Sequence, residues 1–109
     1  MSNVIAFDEF KKVELQIGEI EEVKAHPNAD KLYVLTVGFG NNKRQLVAGL
    51  RGYYEPEEML GKKIVVVTNL QPASLRGVES QGMLLAAQSG EVVSLLTVDK
   101  DVPPGSKIL

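Results

Sequence analysis

Residues 13–20 read VELQIGEI, and their pattern indicates the architecture of the whole chain. Apolar side chains alternate with polar ones as far as Ile17, which is the period of two expected of a half-buried strand. At Gly18 the phase slips, and Ile20 takes the next apolar position. Because a glycine at a phase slip is typical of a bulge or a sharp bend, we predict a first strand that bends.

Further apolar runs follow this strand, and each is rich in β-branched or aliphatic residues. We predict strands at residues 32–37, 45–48, 64–67, 83–87 and 92–96. Residues 26–30 (HPNAD) form a loop, because proline cannot continue a central ladder and Asn and Asp favour turns. Residues 38–42 (GFGNN) read as a hairpin turn, and residues 103–105 (PPG) as a closing turn.

One short helix is predicted between the third and fourth strands. Pro56 suits the first helical position, Glu57 and Glu58 favour the positive end of the helix dipole, and Gly61 can end the helix. The order lacks a βαβ rhythm, which argues against a doubly wound parallel sheet. We therefore predict an all-β OB-fold, a five-stranded barrel with one short helix and a β-rich C-terminal extension. A small β-sandwich is the structural alternative.

The chain has 109 residues, of which 44% are hydrophobic and 24% charged. This length and composition are typical of one ordinary globular domain, with a core over about residues 10–90 and an extension over about 91–109. No apolar run approaches the ~20 residues of a membrane helix, and the N-terminus does not resemble a signal peptide. We therefore expect a cytoplasmic protein that does not enter membranes.

Composition also excludes several kinds of chemistry. The chain has no cysteine and one histidine, so we predict no thiolate nucleophile, no metal site and no cofactor. No GxGxxG or P-loop lysine motif is present, and no nucleophile–base pair can be named. His26 precedes Pro27 in the predicted loop and is interpreted as packing or capping that loop. We predict no catalytic residue, and a small enzyme is the weakest functional alternative.

The formal net charge is −2, but the charges are segregated along the chain. Residues 31–54 carry four basic residues and no acid, and residues 59–78 carry three more and no acid, a local charge of +7. The basic residues of these windows are Lys31, Lys43, Arg44, Arg51, Lys62, Lys63 and Arg76. Such segregation can give a basic patch on a nearly neutral protein, although an accidental spacing of solvated residues is the commoner explanation of this pattern in a small domain.

Residues 69–87 (NLQPASLRGVESQGMLLAA) join two apolar strands by a long irregular stretch. A connection of this length is uncommon in a small barrel unless it is functional, although ordinary turn chemistry is the alternative. Arg76 can pair with phosphate in a bidentate manner, and Met83 offers a soft apolar contact. The polar side chains able to contact sugar, phosphate or base edges are Asn69, Gln71, Ser80 and Gln81.

Four stretches together resemble the tRNA-binding domain of methionyl-tRNA synthetases and of standalone structure-specific tRNA-binding proteins. They are residues 10–20 (FKKVELQIGEI), 26–32 (HPNADKL), 53–63 (YYEPEEMLGKK) and 69–87. The resemblance implies an OB-fold that binds folded tRNA by shape, mainly at its outer corner, and does no chemistry. It also implies dimerisation outside the five-strand core and a partnership with a methionyl-tRNA synthetase, whose tRNA affinity the domain raises.

Carried over residue by residue, the resemblance makes Lys31 a phosphate contact and assigns further contacts to the loop after residue 68. The predicted tRNA-binding residues are Lys31, Lys43, Arg44, Arg51, Asn69, Arg76, Ser80, Gln81 and Met83. The family often has basic residues where this chain has Ala73 and Ser74, and Arg where it has Gln16, so a weaker affinity is expected. The chain also has Gly38 where the family commonly has Asp.

Two further expectations concern partners. The apolar residues of 92–96 and 102–109 exceed what a five-strand core needs, which predicts a homodimer. The same fold also serves as a dimeric secretion chaperone and as a scaffold subunit, so a protein-interaction module is the alternative function. Co-purification with tRNA would separate the two.

Overall fold

The structure is a computed structural model that describes residues 3–109. Two short helices and nine strands are found in this range. They are α1 (Phe7–Phe10), β1 (Leu15–Ala25), β2 (Tyr33–Gly38), β3 (Lys43–Ala48), α2 (Pro56–Met59), β4 (Lys63–Val67), β5 (Ala73–Leu75), β6 (Val78–Ser80), β7 (Met83–Leu84), β8 (Ala86–Ser89) and β9 (Val92–Leu95).

The long strand β1 organises the main sheet, whose antiparallel order is β3-β2-β1-β4-β7. The first half of β1 pairs with β4, and its second half pairs with β2. A strand that serves two neighbours in succession must bend between them, and this bend curls the sheet into a nearly closed barrel. The predicted all-β, OB-like barrel is confirmed.

The bend of β1 arises at a bulge, and Gly18 has a different role beside it. The register against β2 shifts between Ile20 and Glu22, so the bulge lies near Glu21 and not at Gly18 as the phase slip suggested. Gly18 is instead buried, and a Cβ there would lie 2.4 Å from Cγ1 of Val37 and 2.9 Å from the ring of Phe39. Gly18 therefore allows a close approach across the barrel, and the extra residue that turns the strand follows it.

The barrel interior is aliphatic, and α2 closes one end of it. The most deeply buried large side chains are Ile20, Leu35, Val37, Leu46, Met59, Ile64 and Val66. Met59 enters this core from α2, which begins at Pro56 as predicted. A reciprocal capping box between Glu55 and Glu58 satisfies the first free N–H groups of this helix.

The second half of the chain departs from the predicted strands in two places. The sequence predicts an irregular stretch over residues 69–82, but these residues contain the β5–β6 hairpin. The predicted strand at residues 83–87 is divided, because β7 pairs with β4 whereas β8 pairs with β9. Leu85 donates its N–H to the Val65 carbonyl in β4 and accepts at its own carbonyl from the Leu96 N–H, so the chain leaves the main sheet at this residue and starts a separate two-stranded ribbon.

The C-terminal tail lies along the free edge of β1. Gly105 donates its N–H to the Ile17 carbonyl at 2.7 Å, and Ile17 donates to the Ser106 carbonyl at 2.9 Å. Gln16 also forms a β-bridge with Lys107. The buried Leu95 belongs to the core as well. The extension is therefore part of the barrel's packing, and α1, which the sequence did not predict, lies exposed beside it.

Candidate nucleic-acid interface

A buried histidine holds the loop between β1 and β2. His26 is 4% exposed, and its Nδ1 accepts a 2.9 Å hydrogen bond from the backbone N–H of Asn28. Its Nε2 lies 2.9 Å from the carbonyl oxygen of Leu75 in the β5–β6 hairpin. Because an N–H can only donate and a carbonyl can only accept, the ring carries its proton on Nε2. His26 therefore caps its own loop, as the sequence indicated, and also ties that loop to the hairpin.

The hairpin turns on Arg76 and Gly77, which both have positive φ, 53° and 91°. The Leu75↔Val78 pair flanks these two residues, so the turn has the form of a type I′ hairpin loop. Arg76 is the one non-glycine residue with positive φ within residues 3–109. The left-handed conformation costs an ordinary side chain roughly 1–2 kcal/mol, so the turn places the guanidinium at the tip at some expense of stability.

Three cations gather at this end of the barrel. The Nη2 of Arg76 donates to the carbonyl of Asn28, in the loop that also carries Lys31, over 3.3 Å. Tyr33 begins β2 just after that loop, and the Cζ of Arg51 lies 5.8 Å from the centroid of its ring. We call Lys31, Arg51 and Arg76 the loop-end cluster.

The loop-end cluster has no direct carboxylate partner among the described residues. The lysines that do form ion pairs are Lys12, Lys24, Lys43 and Lys63. Lys31 and Arg76 are exposed and Arg51 is half-buried. The Tyr33 ring orients the Arg51 guanidinium without neutralising it, because a cation–π contact leaves the charge in place. Positive charge is therefore available to a ligand at this end.

Lys43 lies at the other end of β3. The pairing runs from Tyr33↔Ala48 to Gly38↔Lys43, so the strand separates Lys43 from the loop-end cluster by about 17 Å at ~3.3 Å per residue. Its Nζ is 2.9 Å from a carboxylate oxygen of Glu21. A ligand phosphate must displace this exposed ion pair before it can bind Lys43.

Arg44 is used within the fold. Its Nη1 donates to the carbonyls of Thr68 and Gln81, and its Cζ lies 5.8 Å from the Phe39 ring centroid. It thereby connects β3 with the chain that follows β4. A shallow polar depression opens beside it and is lined by Asn42, Lys43, Arg44, Thr68, Leu70, Pro72 and Gln81.

Ser80 and Gln81 fasten the hairpin to the free edge of β3. The Ser80 hydroxyl, in a residue only 5% exposed, accepts from the Val47 N–H at 3.0 Å and donates to the Gly82 carbonyl at 2.9 Å. The backbone N–H of Gln81 donates to the Gln45 carbonyl at 2.8 Å, and its side-chain oxygen accepts from the Gln45 N–H at 2.9 Å. These side chains complete the barrel where regular strand pairing ends.

Asn69 is also occupied internally, whereas Met83 is open. The Asn69 Oδ1 accepts from the Glu14 N–H at 2.8 Å, and its Nδ2 donates to the Lys12 carbonyl. This amide fixes the segment that enters β1. Met83 pairs with Val67 at the edge of the sheet and is 49% exposed. The nine predicted residues thus fall into four groups. Three form the loop-end cluster, and Lys43 and Arg44 lie at the opposite end of β3. Three polar residues bond within the fold, and Met83 stands alone at the sheet edge.

The sequence interpretation missed the connection between His26 and the hairpin. The loop cap was visible in the sequence, because a side-chain acceptor two residues before a backbone N–H is ordinary turn chemistry. The second contact joins residues far apart in the chain, so only the fold reveals it. The available signal for the hairpin itself was Arg76-Gly77 between Leu75 and Val78, since Gly at the second central position favours a type I′ turn.

Residues 3–109 contain no group of three His, Cys, Asp or Glu side chains arranged to hold a metal ion. No helix within the same range is long and apolar enough to cross a membrane.

Comparison with known proteins gives consistent findings. A family model described as a putative tRNA binding domain matches residues 15–107. Methionine--tRNA ligase from Thermococcus kodakarensis is 59% identical over 104 residues, which cover 95% of this chain and 14% of the ligase. A solved MetRS related protein from Pyrococcus horikoshii has a TM-score of 0.91 and 37% identity, covering 99% of this chain and 100% of that one. Chaperone CsaA from Bacillus anthracis has a TM-score of 0.88 and 28% identity, covering 98% of this chain and 100% of that one.

Proposed function

Because the chain belongs to the putative tRNA binding domain family, we propose that it binds folded tRNA and catalyses no reaction on it. The observation that carries this proposal is the loop-end cluster, whose three cations lie at one end of the barrel and have no carboxylate partner within residues 3–109. Lysines and arginines in such a position bind phosphates and release their counterions.

The binding we propose depends on the shape of the RNA more than on its bases. Of the four polar side chains suited to base edges, Asn69, Ser80 and Gln81 bond within the fold, and Gln71 is exposed. The side chains left for RNA are mainly cations, which contact the backbone. Recognition of folded RNA by backbone and 2′-hydroxyl contacts needs no base code. We therefore expect several tRNAs to bind with little preference for the amino acid they carry.

We further propose that the domain raises the tRNA affinity of a methionyl-tRNA synthetase, either joined to it or as a separate subunit. The support is that the chain spans 14% of the length of the ligase it matches at 59% identity. A weak tRNA-binding module joined to a catalytic chain increases affinity because its binding becomes intramolecular. This role places the protein in the cytoplasm, with tRNA and the synthetase as its partners.

A homodimer is also part of the proposal. The exposed face of α1, with Phe7 72% and Phe10 48% exposed, adjoins Val13 and the end of the tail. Monomers rarely expose a contiguous apolar surface of this kind. The same helix and its C-cap carry Asp8 and Glu9 followed by Lys11, so the surface holds both signs of charge. A two-fold interface places a patch against its own copy, which favours such self-complementary charge.

A protein-binding chaperone is the second candidate. It is favoured by the likeness to chaperone CsaA from Bacillus anthracis, which covers 98% of this chain. The exposed apolar surface of α1 would then bind an unfolded client instead of a second copy. The two functions therefore differ in their ligand, folded tRNA or an unfolded client protein, and a binding experiment with each ligand separates them.

The experiment compares fluorescence anisotropy of labelled folded tRNA with that of an unstructured RNA of equal length at 50 mM salt. We expect tighter binding of the folded tRNA. Between 50 and 200 mM salt the slope of log K against log salt should be about −2 to −3, because three cations each neutralise about one phosphate. Equal affinity for the two RNAs, or binding only of an unfolded client protein, would contradict the proposal.

A further inference from the structure

We propose that His26 is a positioning residue for RNA binding, which holds the hairpin so that Arg76 and Lys31 engage the same stretch of RNA backbone. The inference rests on the proposed function. It concerns a residue that touches no ligand in this arrangement, because the ring is buried and both its nitrogens are bonded to the protein. Its effect on RNA must therefore pass through the residues that it positions.

The tip of the hairpin has few other attachments. Its base is fastened to β3 by Ser80, Gln81 and Gln45. Apart from its own strand pairing, the tip is joined to the rest of the described chain by two hydrogen bonds, His26 to Leu75 and Arg76 to Asn28. The second bond is exposed and 3.3 Å long, whereas the first is 2.9 Å long and part-buried. The histidine is therefore the main restraint on the tip.

The two ring nitrogens of His26 join the two halves of the site. Nδ1 binds Asn28 in the loop that carries Lys31, and Nε2 binds Leu75, the residue immediately before Arg76. A residue needed only to cap the loop would not require the second contact, because an asparagine side chain makes the same bond to an N–H two residues later. The Nε2 contact is thus the one that couples the loop to the hairpin.

The backbone conformation of Arg76 also supports a positioning role for His26. Asn or Gly is the preferred residue at the first position of a type I′ turn, and here an arginine occupies it at φ 53°. Local strain of this kind is kept where the surrounding structure enforces it and often marks a functional position. The hydrogen bond from His26 restrains Leu75, the residue before Arg76, and so helps to hold Arg76 in the left-handed conformation. In return, this conformation places the guanidinium at the tip of the hairpin.

His26→Asn separates the two contacts, because the Asn amide oxygen can still accept from Asn28 but the side chain is too short to reach Leu75. His26→Gln is the matched variant, since its longer amide can donate to the Leu75 carbonyl. We expect His26→Asn to weaken tRNA binding about three- to tenfold, as Arg76→Ala does. We expect His26→Gln to restore at least half of that loss on the logarithmic scale.

The decisive readout is a double-mutant cycle on tRNA affinity. In the His26→Asn background, Arg76→Ala should cost less than twofold, while Lys31→Ala should keep its full cost, since the loop cap is retained. If Arg76→Ala costs as much in His26→Asn as in the unmodified chain, His26 is only structural and the inference is wrong. Should His26→Asn unfold, which circular dichroism reports, His26→Ser takes its place in the cycle, because the serine hydroxyl can also accept from the Asn28 N–H and is too short to reach Leu75. A chain that fails to prefer folded tRNA before any substitution rejects the proposed function itself.

Discussion

Lys31 and Lys43 are both exposed lysines near the ends of strands, but their neighbours give them different affinities for a phosphate group. Lys43 already has a carboxylate oxygen 2.9 Å away, whereas Lys31 forms no ion pair with any residue of the described chain, 3–109. A surface ion pair is worth about 0–1 kcal/mol, so displacing the Glu21 partner removes much of what a phosphate contact would contribute. The charge of a side chain alone therefore does not rank these positions.

Substitution of single cations tests this ranking. Lys31→Ala and Arg76→Ala should each weaken tRNA binding by about 1 kcal/mol or more, roughly fivefold, whereas Lys43→Ala should cost clearly less. Titrations by anisotropy at one salt concentration measure the three changes. Lys100→Ala is the matched control, because Lys100 is exposed and outside both groups of cations, and it should stay within twofold. A larger effect for Lys43 than for Lys31 would contradict the assignment of the loop-end cluster.

Asn69 illustrates the opposite case, a predicted RNA contact whose amide bonds within the protein. Asn69→Ala removes the partners of the Glu14 N–H and the Lys12 carbonyl, so the unfolding free energy should fall by about 1–3 kcal/mol. Urea denaturation measures this change. The tRNA affinity of the folded fraction should stay within twofold, and a tenfold loss of affinity at unchanged stability would restore Asn69 as a contact.

At the scale of elements, the β5–β6 hairpin shows a conflict between stability and binding. Arg76→Asn places the preferred residue in the type I′ turn and relieves the left-handed strain. We expect the unfolding free energy to rise by up to about 1 kcal/mol while tRNA affinity falls to that of Arg76→Ala. Urea denaturation and anisotropy on the same sample check both changes. A loss of stability would show that the guanidinium contributes more to the hairpin than the strain costs.

The same hairpin shows where the sequence is informative and where it is not. Strands β1 to β4 and the helix α2 are predictable, because burial of one face imposes a local period and Pro56 with Gly61 marks the helix ends. All three residues of β5 are exposed, so the sequence has no apolar alternation that predicts this strand. The bulge near Glu21 and the change of partner after Leu84 depend on the opposing strand, which a local pattern does not contain.

The candidate site, like the fold, was predictable only where a local property of the sequence decides the outcome. Residue type identified the cations of the loop-end cluster, since charge is a local property. It did not separate Ser80 and Gln81 from true surface residues, because their partners Val47 and Gln45 lie more than thirty residues away. Whether a polar side chain faces a ligand or completes the barrel is decided by tertiary contacts.

At the scale of the whole molecule, a net charge of −2 is compatible with RNA binding because the loop-end cluster forms no ion pair within residues 3–109, whereas four lysines elsewhere in that range are paired with acids. The long-range field of the protein is therefore weak, and general polyanions gain little from it. Binding must come from close contact at the loop-end cluster, where shape and charge have to match together.

Association of two copies is a property of the whole molecule. Light scattering at micromolar concentration should give twice the mass of the 11.9 kDa chain. The double variant Phe7→Ser, Phe10→Ser should give the single mass, because two exposed aromatic rings leave the interface. Leu60→Ser is the control, since Leu60 is similarly exposed but lies next to α2. A single mass for the unmodified chain would rule out the dimer.

The pairing of the C-terminal tail with β1 also determines when the domain can finish folding. Gln16 meets Lys107, so this contact closes almost the entire chain into one loop, and such long-range contacts slow folding. During synthesis, β1 leaves the ribosome early, while the residues that cover its edge leave late. An uncovered strand edge is a template for wrong pairing. The newly made chain is therefore most vulnerable to aggregation in the interval before residues 105–108 emerge, and a pause in translation there would prolong that risk.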